Sequence, residues 1–374
     1  MEKKIKVLQF PIAASKGGIT RYVLQNWKFI DKSKFQFDFV TMSKSIDFAD
    51  ELEREGCRIF YISCYAEENE EKFVDEFRKI LIKGEYDIVH LHTKQWKSFL
   101  MEKTAKEAGV KRIIVHAHNT GIDTINEKKR REEIILHSKM LEQLTDDIAT
   151  DFWACSKAAA EFLYGNKISQ NRIKIMHNAI ELEQYRFNEK IRCEVRDEFN
   201  VRDKFIIGHV GRFAYQKNHE FLIDVFAEVC KEIDNAVLLL IGDGELKENI
   251  SHKVIDLDLS NKVMFVGKRN DIFRLLQAID IFVLPSRFEG LPLSAIEAQT
   301  ADLMCLCSDV ITREVKVTEK VEFLSLNKKT WVEKILKFNN KYKREDKIKD
   351  MRLSGYDIKM QIKNIEIRYR GKDQ

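Results

Sequence analysis

The sequence is short of the residues that break, stiffen or cross-link a chain. Three prolines and 15 glycines among 374 residues exclude collagen-like repeats and proline-rich linkers. Seven cysteines are an odd count, and none of their spacings is that of a zinc knuckle. Cys155, Cys305 and Cys307 fall in apolar, strand-like runs, where a thiol behaves as a small hydrophobe, so reduced structural cysteines in a reducing compartment are expected. Long apolar runs are also missing. After Lys3 and Lys4 the only early apolar stretch is Ile5, Val7, Leu8 and Phe10, too brief for an export signal and far below the roughly 20 residues that cross a bilayer. A cytoplasmic location is the expectation. A strong charge of one sign is lacking too: the net charge of +4 argues against a nucleic-acid partner. The charge is unevenly placed, however. Residues 328–374 hold 15 Lys and Arg against 7 Asp and Glu, a net of +8. That basic end would suit either a solvated helical surface or peripheral contact with the anionic inner face of the plasma membrane.

What is present is a regular alternation. Hydrophobic residues at 44% and charged residues at 33% describe an ordered, helix-rich chain, and its length exceeds the roughly 250 to 300 residues at which a single core stops growing. Short apolar or β-branched runs at 5–10, 37–41, 58–62, 88–91, 112–116, 152–155 and 173–177 alternate with helical patterns. After a charged, mostly helical link at 180–203 they resume at 205–210, 236–241, 263–266, 281–284, 304–307 and 322–326. Strand–helix–strand repeats need crossover connections and hence parallel sheets covered on both faces. The expected fold class is α/β, with two Rossmann-like doubly wound domains facing a central cleft: 1–185, and 186–355.

In such sheets ligands bind beyond the carboxyl ends of the strands, and the loops there hold unusual residues. The first strand leads to Gly17-Gly18 before a helix, a pattern that serves either a tight turn or close approach of an anion to helix-start amides. The strand 205–210 is followed by Gly211, Arg212 and, five positions on, Lys217. A guanidinium fork and a point charge suit a diphosphate, although exposed surface cations would read the same way. The segment lacks the G-x-G-x-x-G spacing of a dinucleotide fingerprint, which makes redox chemistry a poor fit. The most specific signal is Pro285 to Ala298, where Glu289 and Glu297 stand eight apart across a strand–loop–helix junction opened by Pro292. Glutamates accept hydrogen bonds from hydroxyls while helix-start amides receive an anion. Asp256-Leu257-Asp258 follows a helical pattern rather than a strand and reads as surface, so no metal is expected.

This segment resembles the E-x7-E motif of glycosyltransferase family 4, and Gly211-Arg212-Phe213 through Lys217-Asn218 is similar to that family's diphosphate loop. The likeness extends to His90-Leu91-His92, His116-Ala117-His118-Asn119 and Ser354-Gly355-Tyr356-Asp357, and is greatest to bacterial enzymes that assemble capsular or extracellular polysaccharides. The resemblance implies a GT-B fold and a retaining, metal-independent hexosyltransferase that needs no cofactor. It moves a hexose or N-acetylhexosamine from a nucleotide-diphosphate sugar, by family habit a UDP-sugar, to a glycan or lipid-linked acceptor. It implies that Arg212 and Lys217 hold the phosphates, Glu297 the ribose and Glu289 the transferred sugar, with amides from Gly290 and Leu291. Gly17 and Gly18 approach the phosphates, His118 contacts the reacting sugar, and the nucleobase lies near Lys268 and Arg269. His90, His92 and His116 keep a structural reading. The resemblance also implies that a last helix, about 356–370, packs back on the first domain. One departure stands out: Asp302 and Met304 occupy places where the family has Gly and Pro, so the turn at Asp302 is expected to be strained or reshaped. A silent sugar-nucleotide-binding subunit and a sugar-nucleotide epimerase are the competing readings.

Overall fold

The computed structural model describes residues 3–15, 17–338 and 342–371. It contains two parallel sheets, each interleaved with helices. The first sheet holds seven strands: β1 (Ile5–Phe10), β2 (Phe35–Thr41), β3 (Ile59–Tyr61), β4 (Ile88–Thr93), β5 (Arg112–Ala117), β6 (Asp151–Ala154) and β7 (Ile173–Ile175). Their spatial order is β3-β2-β1-β4-β5-β6-β7. The second holds β8 (Phe205–Val210), β9 (Ala236–Ile241), β10 (Val263–Gly267), β11 (Ile281–Leu284), β12 (Met304–Ser308) and β13 (Val321–Leu324), in the order β10-β9-β8-β11-β12-β13. The central strands are buried on both faces, as helix-covered parallel sheets require. Every residue of β9, Ala-Val-Leu-Leu-Leu-Ile, is buried. These two doubly wound sheets with interleaved helices are the α/β, GT-B architecture expected from the alternation of runs.

The order of strands locates each crevice. In the first sheet the chain winds outward one way from β1 and the other way from β4, which pair side by side. In the second, β8 and β11 are the corresponding neighbours. At such a reversal the loops after the two strands diverge and leave room for a ligand. The loop of Gly17 and Gly18 follows β1, and the loops of Arg212, Lys217 and Glu289 follow β8 and β11.

The chain divides into two compact units: Met1–Ile122 with Lys128–Ala179 and Ile358–Gln374, and Asp123–Glu127 with Ile180–Asp357. The division lies at 179/180 rather than 185/186, because Ile180 bridges to Asp357 and Tyr185 donates to Glu297. The last helix begins at Ile358 rather than 356. It contributes Ile362, Ile365 and Tyr369 to the first core, beside Val7, Phe35, Phe37 and Trp153. The second core gathers Leu238, Leu240, Phe226 and Trp331. Asp123–Glu127, which the sequence reading assigned to the first domain, groups with the second because of hydrogen bonds described below. All seven cysteines are free thiols, and burial holds the Cys307 thiol up at about 12.

Candidate functional site

In the second unit the loops after β8 and β11 are tied together. Asn218 donates to Pro285 O at 3.1 Å, the Arg287 amide to Gln216 O at 2.8 Å, and the Gln216 side chain to Phe288 O at 3.0 Å. Within this frame two of the expected residues meet: Lys217 Nζ lies 2.6 Å from Glu289 Oε1. Glu289 is only 6% exposed, and its carboxylate also accepts from Ser286 Oγ at 2.8 Å and Gln216 Nε2 at 3.0 Å. A buried charge must be paired and hydrogen-bonded, and this one has three donors. Arg212 is held differently. Its guanidinium pairs with the Asp123 carboxylate, whose other oxygen accepts the Gln216 amide at 3.0 Å. The Arg212 side chain is 58% exposed, so it remains open to an anion.

Backbone fit explains the glycines after β9. Gly242 has φ of +144°, and a Cβ there would stand 2.0 Å from Gly211 O. The Phe213 amide donates to Asp243 O, and Leu246 in turn donates to Phe213 O. The turn at 242–244 therefore braces the Gly211–Phe213 loop, which accounts for it structurally.

After β11, Gly290 and Leu291 are buried and lead through Pro292 into the helix Leu293–Thr300, whose first amides have no partner inside the helix. Glu297 lies fully buried on that helix, with its Oε1 accepting from Tyr185 OH at 2.9 Å. At the end of β10, Lys268 is exposed. Arg269 turns back to Asp271 at 2.7 Å, so its guanidinium is engaged. Asp256 ends a helix, and it and Asp258 are exposed.

Asp302 adopts φ of +54°, the left-handed geometry that glycine favours and Asp tolerates. The expected strain is therefore present at this turn. Its carboxylate, fully buried, is bonded to Lys320 Nζ at 2.6 Å and receives the Glu345 amide. Asp302 thus anchors the turn in a way that glycine cannot.

In the first unit, Gly17 precedes and Gly18 opens the helix Gly18–Phe29. Among the described residues, a Cβ at either would meet nothing within 4 Å, so packing there does not demand glycine, while a close ligand would. Behind this loop lies a polar row on one face of three strands. Gln9 pairs in register with His90, and His92 with His116. His118 stands two residues beyond His116, on the same face. His118 Nε2 lies 2.9 Å from His92 Nδ1, and His92 Nε2 lies 2.8 Å from Gln9 Oε1. Gln9 Nε2 is 3.2 Å from Tyr369 OH, which is 2.7 Å from His90 Nδ1. His90 Nε2 is 3.2 Å from His116 Nδ1. Burial first, and then neighbouring cationic or imidazole groups, hold His90, His92 and His116 well below the ordinary histidine value. Burial, with Lys94 second, holds His118 down at about 3. All four are neutral near pH 7. Ring nitrogens of His90, His92 and His116 lie within 4.8 Å of one another, close enough for a metal ion, yet each except His116 Nε2 already has a hydrogen-bond partner. The arrangement suits neutral, mutually bonded imidazoles better than a cation.

Sequence reasoning singled out Lys217, Glu289, Glu297 and His118. It missed Asp123, Gln216, Ser286, Tyr185, Gln9 and Tyr369, which hold those residues. Gln216 and Ser286 sat inside quoted motifs; Asp123 is 89 positions from Arg212 and carried no local signal.

The chain matches known families on both halves: residues 16–184 match Glycosyltransferase Family 4, and residues 192–351 match Glycosyl transferases group 1. It is 32% identical over 315 residues to EpsF of Bacillus subtilis, named as a glycosyltransferase, covering 83% of this chain and 80% of EpsF. It is 27% identical to an Escherichia coli UDP-Gal:alpha-D-GlcNAc-diphosphoundecaprenol alpha-1,3-galactosyltransferase, over 93% of this chain and 96% of that one. Among solved structures, HepE of Anabaena in complex with UDP and glucose superposes with a TM-score of 0.75 at 15% identity, covering 98% of this chain and all of that one. The lipopolysaccharide glycosyltransferase WaaG superposes at 0.70, also at 15% identity, over 99% of this chain and 96% of that one. The first of these relatives is similar enough, over enough of both lengths, to fix the kinship: the chain belongs to glycosyltransferase family 4.

Proposed function

We propose that this protein transfers a hexose or N-acetylhexosamine from a UDP-sugar to a glycan or lipid-linked acceptor, with retention of configuration, during assembly of a surface polysaccharide. The observation that carries the reading is the buried contact of Lys217 with Glu289, beside an exposed Arg212 and the start of the helix Leu293–Thr300. A cation, a carboxylate and a helix start within one loop pair match a ligand that is anionic in its middle and hydroxylated at its ends. Relatives named for a diphosphoundecaprenol acceptor and for capsular polysaccharide biosynthesis support the acceptor class.

In this reading Arg212, Lys217 and the amides of Gly290 and Leu291 hold the diphosphate. Glu297, fixed by Tyr185, accepts from the ribose hydroxyls, and Glu289 accepts from the transferred sugar. The base rests against backbone at Lys268 and Arg269. On the first unit, Gly17 and Gly18 give the phosphates room to approach, and His118 contacts the reacting sugar.

When the bond from the sugar's anomeric carbon to the diphosphate oxygen breaks, positive charge builds on the sugar and negative charge on the leaving phosphate. Arg212, Lys217 and the helix-start amides stabilise that developing charge, which is electrostatic catalysis without a metal or a cofactor. The acceptor hydroxyl forms the new carbon–oxygen bond from the face that the phosphate leaves. Its proton passes to the departing phosphate, so no side chain acts as nucleophile.

The test is thermal-shift screening against UDP- and GDP-sugars, followed by UDP release with lipid-linked acceptors. Selective stabilisation by a UDP-sugar and acceptor-dependent UDP release are expected. Conversion of the UDP-sugar without acceptor would instead indicate an epimerase, and binding without turnover a silent subunit. Unchanged UDP affinity in both Arg212→Ala and Lys217→Ala would remove the diphosphate assignment.

A further inference from the structure

The polar row of the first unit has a direction. Gln9 lies at its centre, and the two ways of placing its amide oxygen and nitrogen impose opposite proton positions on every ring. Distances choose between them. A phenol hydroxyl donates at about 2.7 Å, whereas an N–H donor sits nearer 3.0 Å. Tyr369 OH is 2.7 Å from His90 Nδ1 and 3.2 Å from the Gln9 amide, so the hydroxyl donates to His90 and accepts from the Gln9 NH₂. The Gln9 oxygen then faces His92 Nε2 at 2.8 Å, an ordinary N–H to O separation. The reversed amide would need an O–H to O bond stretched to 3.2 Å and an N–H to N bond compressed to 2.8 Å.

The rest follows by valence, because a neutral imidazole has one N–H and one bare nitrogen. His92 donates from Nε2 to Gln9, so its Nδ1 is bare. That bare nitrogen accepts from His118 Nε2. His118 then keeps its own Nδ1 bare. We infer that Tyr369, by orienting Gln9, sets the tautomer of His118 through His92, so that His118 meets the transferred sugar as a hydrogen-bond acceptor rather than a donor.

The inference rests on the proposed contact of His118 with the sugar. It adds that the contacted position must bear a hydroxyl that donates. It also makes Gln9, His92 and Tyr369 positioning residues, the last of them on the final helix, 360 positions from Gln9. The low proton affinity of all four histidines agrees, since a second proton would break the row at His90, His92 or His116 and would occupy the bare Nδ1 of His118.

The experiment is a long-range proton–nitrogen correlation on full-length protein labelled with ¹⁵N-histidine, near pH 7. The His118 resonances would be identified by their loss in His118→Asn. Protonated and bare ring nitrogens differ widely in ¹⁵N shift, so the tautomer is read directly and without any substrate. A protonated Nε2 and a bare Nδ1 on His118 are expected. Tyr369→Phe keeps the packed ring but frees the Gln9 amide, and should move both His118 shifts toward a mixture of tautomers. Gln9→Leu removes the acceptor for His92 Nε2 and should turn the His118 tautomer over. A protonated Nδ1 in the unaltered protein, or His118 shifts unmoved in both variants, would overturn the inference. If the tautomer is as stated but UDP-glucose and UDP-galactose both leave the His118 resonances in place, the relay stands and the sugar-contact reading fails.

Discussion

Lys217 and Glu289, 72 positions apart, form an ion pair of 2.6 Å whose side chains are 14% and 7% exposed. Removing one member of a buried pair costs about 3 to 5 kcal/mol, because the survivor is left charged and unpaired. Glu289→Ala should therefore lower stability as well as turnover. Glu289→Gln, which still accepts from Ser286, should unfold closer to the parent while losing roughly 100-fold or more in kcat, the size typical of a lost electrostatic contact to the reacting groups. Thermal unfolding and UDP-release kinetics on the two variants separate the structural part from the catalytic part. Equal kcat in Glu289→Gln and the parent would show that the negative charge is dispensable.

The Asp123 carboxylate occupies the Arg212 guanidinium. The Arg212 side of the pair is 58% exposed and the Asp123 side 12%; a partly solvent-screened pair contributes about 1 kcal/mol, so a diphosphate can displace it. Asp123→Asn should tighten UDP binding a fewfold by removing the competitor and a like charge, and Arg212→Ala should weaken it by considerably more. Calorimetric titration with UDP gives both numbers. Weaker binding in Asp123→Asn would mean that the carboxylate orients Arg212 rather than competing for it.

Glu102, on the helix Leu100–Glu107, is completely buried, and among the described residues no side chain hydrogen-bonds to its carboxylate. Burial pushes its carboxyl up to about 7. The folded protein therefore holds the proton more tightly than the unfolded chain, whose glutamate titrates near its ordinary value of about 4.3. The associated stability is fully present below that value and is lost progressively as pH rises to about 7. The loss is of the order of 4 kcal/mol, since each pKa unit corresponds to about 1.4 kcal/mol. Glu102→Gln should be more stable than the parent at pH 8 and gain little at pH 4.5. Urea unfolding at the two values checks it; an equal gain at both would point to packing instead of ionisation.

Asp302 combines a left-handed backbone with a buried bond to Lys320. Asp302→Ala loses the pair and keeps a Cβ at positive φ, whose steric cost is about 1 to 2 kcal/mol. Asp302→Gly loses the pair but none of the backbone freedom. Both should be less stable than the parent, with Ala below Gly by about 1 kcal/mol. A glycine variant more stable than the parent would show that the Lys320 bond contributes nothing.

Some elements were fully legible in the linear text. The runs 5–10, 205–210, 236–241 and 281–284 coincide with β1, β8, β9 and β11, because central parallel strands are buried on both faces and read as unbroken apolar segments. Edge and terminal elements were less clear. β13 ends at Leu324 rather than 326, and β3 keeps only Ile59–Tyr61, where one exposed face dilutes the pattern.

Sequence alone therefore determined the alternation, the two sheets, and the loops that hold Arg212, Lys217, Glu289 and His118, since these depend on short-range periodicity and on motif spacing. Only tertiary structure decided what those residues touch: Glu289 for Lys217, Asp123 for Arg212, Tyr185 for Glu297, and the row from Tyr369 through Gln9 and His92 to His118. Ion pairs and hydrogen bonds act over about 3 Å, and separations of up to 360 positions become contacts only when strand order and helix packing bring them within that range.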